Sequence, residues 1–179
     1  ARDYYKKATK LDPTLSEAWL GIGITLQSEE RWFEATHYLR KAIEIDAENA
    51  EYWFALGDAE YHLNNFVSAE SAYQKVIQTE PDNHDIWLEY SHLLMVDNRA
   101  DEALRLINDG LVFHPNDAEL LYRLSCYHYS INHIQEAYRI LEAALDKDPD
   151  LCHAIFEYTP LMENDKNVLH LIDTYKNRL

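Results

Sequence analysis

Apolar and small residues recur along this chain at helical spacing, in blocks that come in pairs. Between positions 50 and 83, Trp53, Leu56, Gly57 and Glu60 share one stripe, and Ala69, Ala72, Tyr73 and Val76 share another. Steps of three and four residues put such positions on one face of an amphipathic helix. The paired blocks then repeat. Ala1, Ala35, Ala69, Ala103 and Ala137 stand 34 apart, as do Gly23, Gly57, Ser91, Ser125 and Thr159. Pro13, Ala47, Pro81, Pro115 and Pro149 keep the same step, and Trp19, Trp53 and Trp87 continue as Leu121 and Ile155. Four columns in one register define a repeat, and a repeat has to be read before any single element.

The stops between blocks carry their own chemistry. Thr14, Asn49, Asn83 and Asp117 precede first helices as candidate N-caps, and Thr14 with Glu17 fits a capping box. Asn64, Asn98 and Asn132, again 34 apart, fall in the turn within each pair. Asn is the best residue after Gly for the left-handed conformation of a helix stop. Gly57 and Ala69 let two helix backbones approach, while Trp53 and Tyr73 fill the space beside them.

A 34-residue period carrying Trp53, Leu56, Gly57, Ala69, Tyr73, Val76 and Pro81 resembles the tetratricopeptide repeat over the whole chain. Glu60 and His128 depart from the pattern, standing where an aromatic is usual, and Ala47 replaces Pro. The resemblance implies an all-α fold, an α-solenoid in which stacked antiparallel helix pairs form a right-handed superhelix with a concave inner surface. On this register residues 1–13 read as the second helix of a truncated repeat, so that the natural protein is expected to extend further N-terminally. Full repeats cover 16–49, 50–83, 84–117 and 118–151. Residues 152–179 read as a degenerate C-terminal capping repeat, its first helix broken at Pro160. Its second helix, from Lys166 to Arg178, ends in the polar run Lys176, Asn177, Arg178, as expected of a true C-terminus.

Composition narrows function. Lys and Arg number 16 against 32 Asp and Glu, a formal charge of −16. That field repels nucleic-acid phosphates and anionic lipid and favours basic or neutral partners. No apolar run reaches the roughly 18 residues of a membrane span. Cys126 and Cys152 form no C-x-x-C pair and suggest no secreted disulfide framework. A cytoplasmic location is therefore expected. No H-E-x-x-H, G-x-x-x-x-G-K, G-x-S-x-G or G-x-G-x-x-G motif occurs, and Gly21-x-Gly23 lies inside a first helix, where it serves packing. His153 is a candidate neighbour of Cys126, but no ligand set of three converges there. No enzyme activity, metal or cofactor is expected.

Function then rests on a face. At roughly 100° per residue, positions 2, 5, 9 and 12 of each first helix point away from the packed positions 4, 7, 8 and 11. In the resembling family the former line the concave groove. Here that groove is expected to hold Phe54, Asp58, Tyr61, Leu88, His92, Tyr122, Cys126 and Tyr129, with Glu89 and Arg123 added from position 6. Exposed aromatics on such a wall are typical anchors for a partner. The alternative is that neighbouring side chains cover them. Glu17, Glu51, Asp85 and Glu119 also line this face, although first-turn carboxylates complement the helix dipole as well. Some members of the family hold a C-terminal carboxylate with Lys, Asn and Arg side chains from three units. The matching positions are Phe54, Asp58, Glu89, Glu119 and Arg123, and only Arg123 has a suitable side chain. The expected partner is thus a protein or peptide carrying basic and apolar residues. The alternative is a self-association module, through Tyr4, Tyr5 and Ala8, or a structural subunit of a larger assembly.

Overall fold

The computed structural model describes residues 2–177 and places two helices in each period. Helix α1 (Arg2–Leu11) is followed by α2 (Ser16–Gln27) and α3 (Trp32–Ile45), then α4 (Ala50–His62) and α5 (Phe66–Thr79). Next come α6 (His84–Val96) and α7 (Ala100–Phe113), then α8 (Ala118–Ser130) and α9 (Ile134–Lys147). The C-terminal segment is more broken. A 3-10 turn (Pro149–His153) leads into α10 (Ala154–Tyr158), a second 3-10 turn (Pro160–Asn164) and α11 (Lys166–Lys176). No strand occurs among the described residues, so the fold class is all-α. Ala1, the first member of the alanine column, and Arg178, in the expected polar tail, lie outside the described residues.

Two compact units make up the chain, Ala1–Ile86 and Trp87–Leu179. In the first, α1 packs on α2, α2 on α3, α3 on α4 and α4 on α5. Its core holds Ile22, Leu26, Leu39, Tyr52, Ala59 and Ala72. Small residues set the close approaches: a Cβ on Gly23 would lie 2.6 Å from the Leu39 side chain, and one on Gly57 2.4 Å from the Tyr73 ring. In the second unit α7 and α9 pack on α8, and the C-terminal α10 and α11 pack on α8 and α9 respectively.

The turns repeat as faithfully as the core. Asn64, Asn98 and Asn132 have φ of 60°, 61° and 64°. Glu30, at the same register position, has φ of 57° without the side chain that favours it. Each such turn closes a Schellman-type bond from the following N–H back across the helix end, as in Asn65 N to Glu60 O at 2.9 Å and His133 N to His128 O at 2.8 Å. Between repeats, Trp19 Nε1 donates to the Pro13 carbonyl at 2.9 Å and Trp53 Nε1 to the Ala47 carbonyl at 2.7 Å. The contact uses a carbonyl rather than a ring, which is why Ala47 can replace Pro.

Asn49 and Asp117 cap their helices, accepting from Glu51 N and Leu120 N. The capping box expected of Thr14 and Glu17 is not formed. Thr14 Oγ1 donates instead to Asp12 Oδ1 at 2.6 Å, and the cap position is taken by Leu15, which offers no side-chain bond. Asp12 lies two residues upstream and captures Thr14 in a local turn. The odd Glu60 is 3% exposed and accepts from Arg40 Nη2 at 2.5 Å and Asn65 Nδ2 at 2.8 Å. A buried carboxylate there ties α3, α4 and the turn together.

Candidate functional site

In the first unit the outward face of α4 carries Glu51, Phe54, Asp58 and Tyr61. Phe54 is half-buried, its ring 6.0 Å from that of Tyr73. It lines a pocket of about 160 Å³ together with Glu51, Glu80, Asn83 and Asp85. Three acidic residues thus share the lining with one aromatic residue, with no Lys or Arg among them. Glu51 and Asp85 come from the first turns of α4 and α6, where the helix dipole favours acids. Glu80 and Asn83 come from the turn between α5 and α6. Their contribution was invisible to a helical wheel, which assigns no direction to turn residues.

Asp58 and Tyr61 stand apart from this pocket. Asp58 accepts from the Tyr73 hydroxyl at 2.8 Å, and Tyr61 stacks on Phe66 with ring centroids 6.0 Å apart. Both side chains therefore help fix α5 against α4. Gln27, at the last outward position of α2, donates to Ala55 O at 2.9 Å and serves helix packing as well.

The outward face of α8 is not open. Tyr122 is 0% exposed, and its hydroxyl donates to Asp148 O at 2.7 Å. Cys126 is buried with its Sγ 3.8 Å from Ile155 O, and burial pushes its thiol up to about 11. The Tyr129 hydroxyl donates to Asp165 Oδ2 at 3.0 Å, sharing that oxygen with Tyr138. Burial, followed by the Asp165 bond, raises the Tyr129 phenol to about 12. Tyr122, Cys126 and Tyr129 are thus corrected from groove anchors to seats for the chain's own segment 148–165. The physical reason is local: Pro149 and Pro160 each open a 3-10 turn, and the bent segment between them folds back onto α8. The expected Tyr122 anchor role fails on burial alone. Leu88, 5% exposed, is likewise a core residue.

Glu89 and His92 on α6 are half-buried. Burial, then the nearby Arg123 charge, lowers the His92 pKa. Arg123 is only 7% exposed, so it too is corrected from an open groove position. Its guanidinium lies 3.6 Å from the centre of the Tyr158 ring. The Tyr158 hydroxyl in turn donates to Glu119 Oε1 at 3.2 Å. The wheel missed Tyr158 because it sits in the broken capping segment. His153 does not meet Cys126: it is exposed and bonds its own turn at Asp150 O. Among the described residues no three His, Cys, Asp or Glu side chains converge as a metal site. No helix among them is long and apolar enough to cross a membrane.

Comparison with known proteins places this arrangement. A crystal structure of MamA is 22% identical, covers 82% of this chain and 86% of its own, and superposes with a TM-score of 0.75. YrrB, described as a TPR protein with an unusual peptide-binding site, is 17% identical over 99% of this chain and 93% of its own, with a TM-score of 0.69. MamA 41-end from Desulfovibrio magneticus RS-1 is 16% identical over 90% and 93%, with a TM-score of 0.67. At these identities the likeness is one of fold, that of stacked tetratricopeptide hairpins. No curated protein matches the sequence. The family model of the cytochrome c-type biogenesis protein H TPR domain matches residues 34–151. With the 34-residue period, the helical pairs and this match together, the chain belongs to that family of tetratricopeptide-repeat domains.

Proposed function

We propose that this chain is a non-catalytic protein-interaction scaffold, and that the Phe54 pocket takes a basic side chain beside an apolar one from a partner segment. The observation that carries the reading is the lining of that pocket: Phe54 together with Glu51, Glu80 and Asp85. An aromatic face and carboxylates together suit a Lys or Arg head, with the ring covering its aliphatic stem. The formal charge of −16 steers such a partner inward and disfavours nucleic acid. A cytoplasmic site of action belongs to the same reading. That a fold relative is described as having a peptide-binding site supports the general mode but not this chemistry. The exposure of Tyr4 (80%) and Leu11 (87%) on α1 is what favours the second reading, self-association.

Fluorescence polarisation with a labelled peptide alternating Lys and Leu tests the pocket, with a Glu and Leu peptide as the counterpart. The basic peptide is expected to bind, and to weaken by about tenfold or more as salt shortens the screening length. Phe54→Ala and Glu80→Lys should each reduce its affinity by about tenfold. Glu80 is exposed, so that variant tests charge without disturbing the core. Equal binding of the two peptides, or binding indifferent to both substitutions, would refute the assignment.

A further inference from the structure

The second unit holds a buried cation to which the described residues bring no counter-charge. Arg123 is more than nine-tenths buried, yet no carboxylate lies within ion-pair distance of it among the described residues. Its Nε donor is buried with no hydrogen-bond partner. Glu119, one turn earlier on α8, is engaged by the Tyr158 hydroxyl instead. The Tyr158 ring covers one face of the guanidinium at 3.6 Å, and the Tyr127 and Tyr158 hydroxyls are hydrogen-bond partners of Arg123, which offsets part of the cost of burying the charge but supplies no negative charge. A guanidinium donates from its edge, in plane, and no carboxylate of the described residues meets this one.

Arg123 also lines a pocket. His92, Met95 and Val96 of α6 form one wall, Tyr127 and Ser130 of α8 another, and Glu157, Tyr158 and Thr159 close it, around a volume of about 240 Å³. We propose that this pocket binds a small monocarboxylate with an apolar substituent, its oxygens on the edge of Arg123 and its hydrocarbon part against Met95 and Val96. Charge selects one negative charge rather than two. Arg123 is the only Lys or Arg in the lining, and the Glu157 carboxylate stands at the same pocket and opposes a dianion. The planar, bidentate match of guanidinium to carboxylate supplies direction. Volume limits the ligand to about one residue or a short branched acid, below the usual range of drug-sized sites. This site is separate from the Phe54 pocket and differs from a clamp shared between repeats, because one wall is the chain's own C-terminal segment.

Titration with N-acetyl-leucine, its amide, 4-methylpentanoate and inorganic phosphate tests the site, followed by calorimetry and by the Arg123 Nε–H resonance. The acids are expected to bind and to move that resonance, with the amide weaker by at least about tenfold. Arg123→Met should remove acid binding. Because that variant alters a buried charge, Ser130→Trp serves as a second one: it fills the mouth from an exposed position and should weaken the acids by about tenfold while Arg123 stays in place. N-acetyl-leucine binding more tightly than 4-methylpentanoate assigns the carboxylate to a chain end, and the reverse order assigns it to a free acid. Acid and amide binding alike, phosphate binding more tightly than either acid, or an Nε–H resonance unmoved at saturation would overturn the proposal.

Discussion

Tyr122→Ala separates a binding residue from a structural one. Read as a groove anchor, Tyr122 could be truncated with little effect on folding. The structure gives the opposite expectation. The ring is 0% exposed and belongs to a cluster with Cys126, Leu141, Cys152, Ile155 and Met162, drawn from α8, α9 and the C-terminal segment. Truncating a buried aromatic to Ala leaves a cavity and costs about 3–5 kcal/mol. Tyr122→Phe isolates the hydroxyl: it keeps the ring but leaves Asp148 O without its 2.7 Å donor, at a cost of about 1 kcal/mol. The pair of variants should therefore differ by about 3 kcal/mol. Urea unfolding followed by far-UV circular dichroism measures this. For a slope near 2 kcal/mol per molar urea, Tyr122→Ala should lower the midpoint of the transition that includes the second unit by about 2 M. A loss below about 0.5 kcal/mol would be the behaviour of a surface residue and would refute the docking of segment 148–165 on α8. It follows that Tyr122→Ala is unsuitable as a binding test, since lost capture would report lost fold.

Two further outcomes follow from the turns and the titrating groups. Glu30 adopts φ of 57° at the register position that Asn fills in the other three turns, so Glu30→Asn should stabilise the first unit by about 0.5–1 kcal/mol, read as a raised urea midpoint; an unchanged or lowered midpoint would show that the conformation is unstrained. His128 is held below its ordinary pKa, chiefly by burial, with Glu136 acting in the opposite sense and His133 and Arg139 adding to the lowering. Its Nδ1 is buried without a partner. A lowered folded pKa means that the unfolded chain takes up the proton first, so this contribution is complete above pH about 6.5 and is lost as pH falls below it. His128→Phe should flatten that part of the stability profile, and a wild-type minus variant difference that stays constant between about pH 7 and 5 would refute it.

Much of this protein was legible in the sequence, for a physical reason. Period, helix pairing and stops depend on local spacing and on the conformational preferences of a few residues. Gly57 beneath Tyr73, the Trp columns and the Asn stops each state a requirement that only a few side chains meet. The helical wheel likewise gave Phe54 its direction, because direction around a helix axis is a local property. What covers a face is not local. Tyr122, Cys126 and Tyr129 recur at outward positions of the helical wheel of α8, but segment 148–165 folds onto them, and nothing within α8 encodes that. Glu80 and Asn83 join the Phe54 pocket from a turn, and Tyr158 reaches Arg123 from a broken helix, so both pockets are completed by residues outside the periodic pattern. Spacing along the chain determines which way a side chain starts out. Only packing between distant segments decides whether it ends in water, in the core or in a pocket.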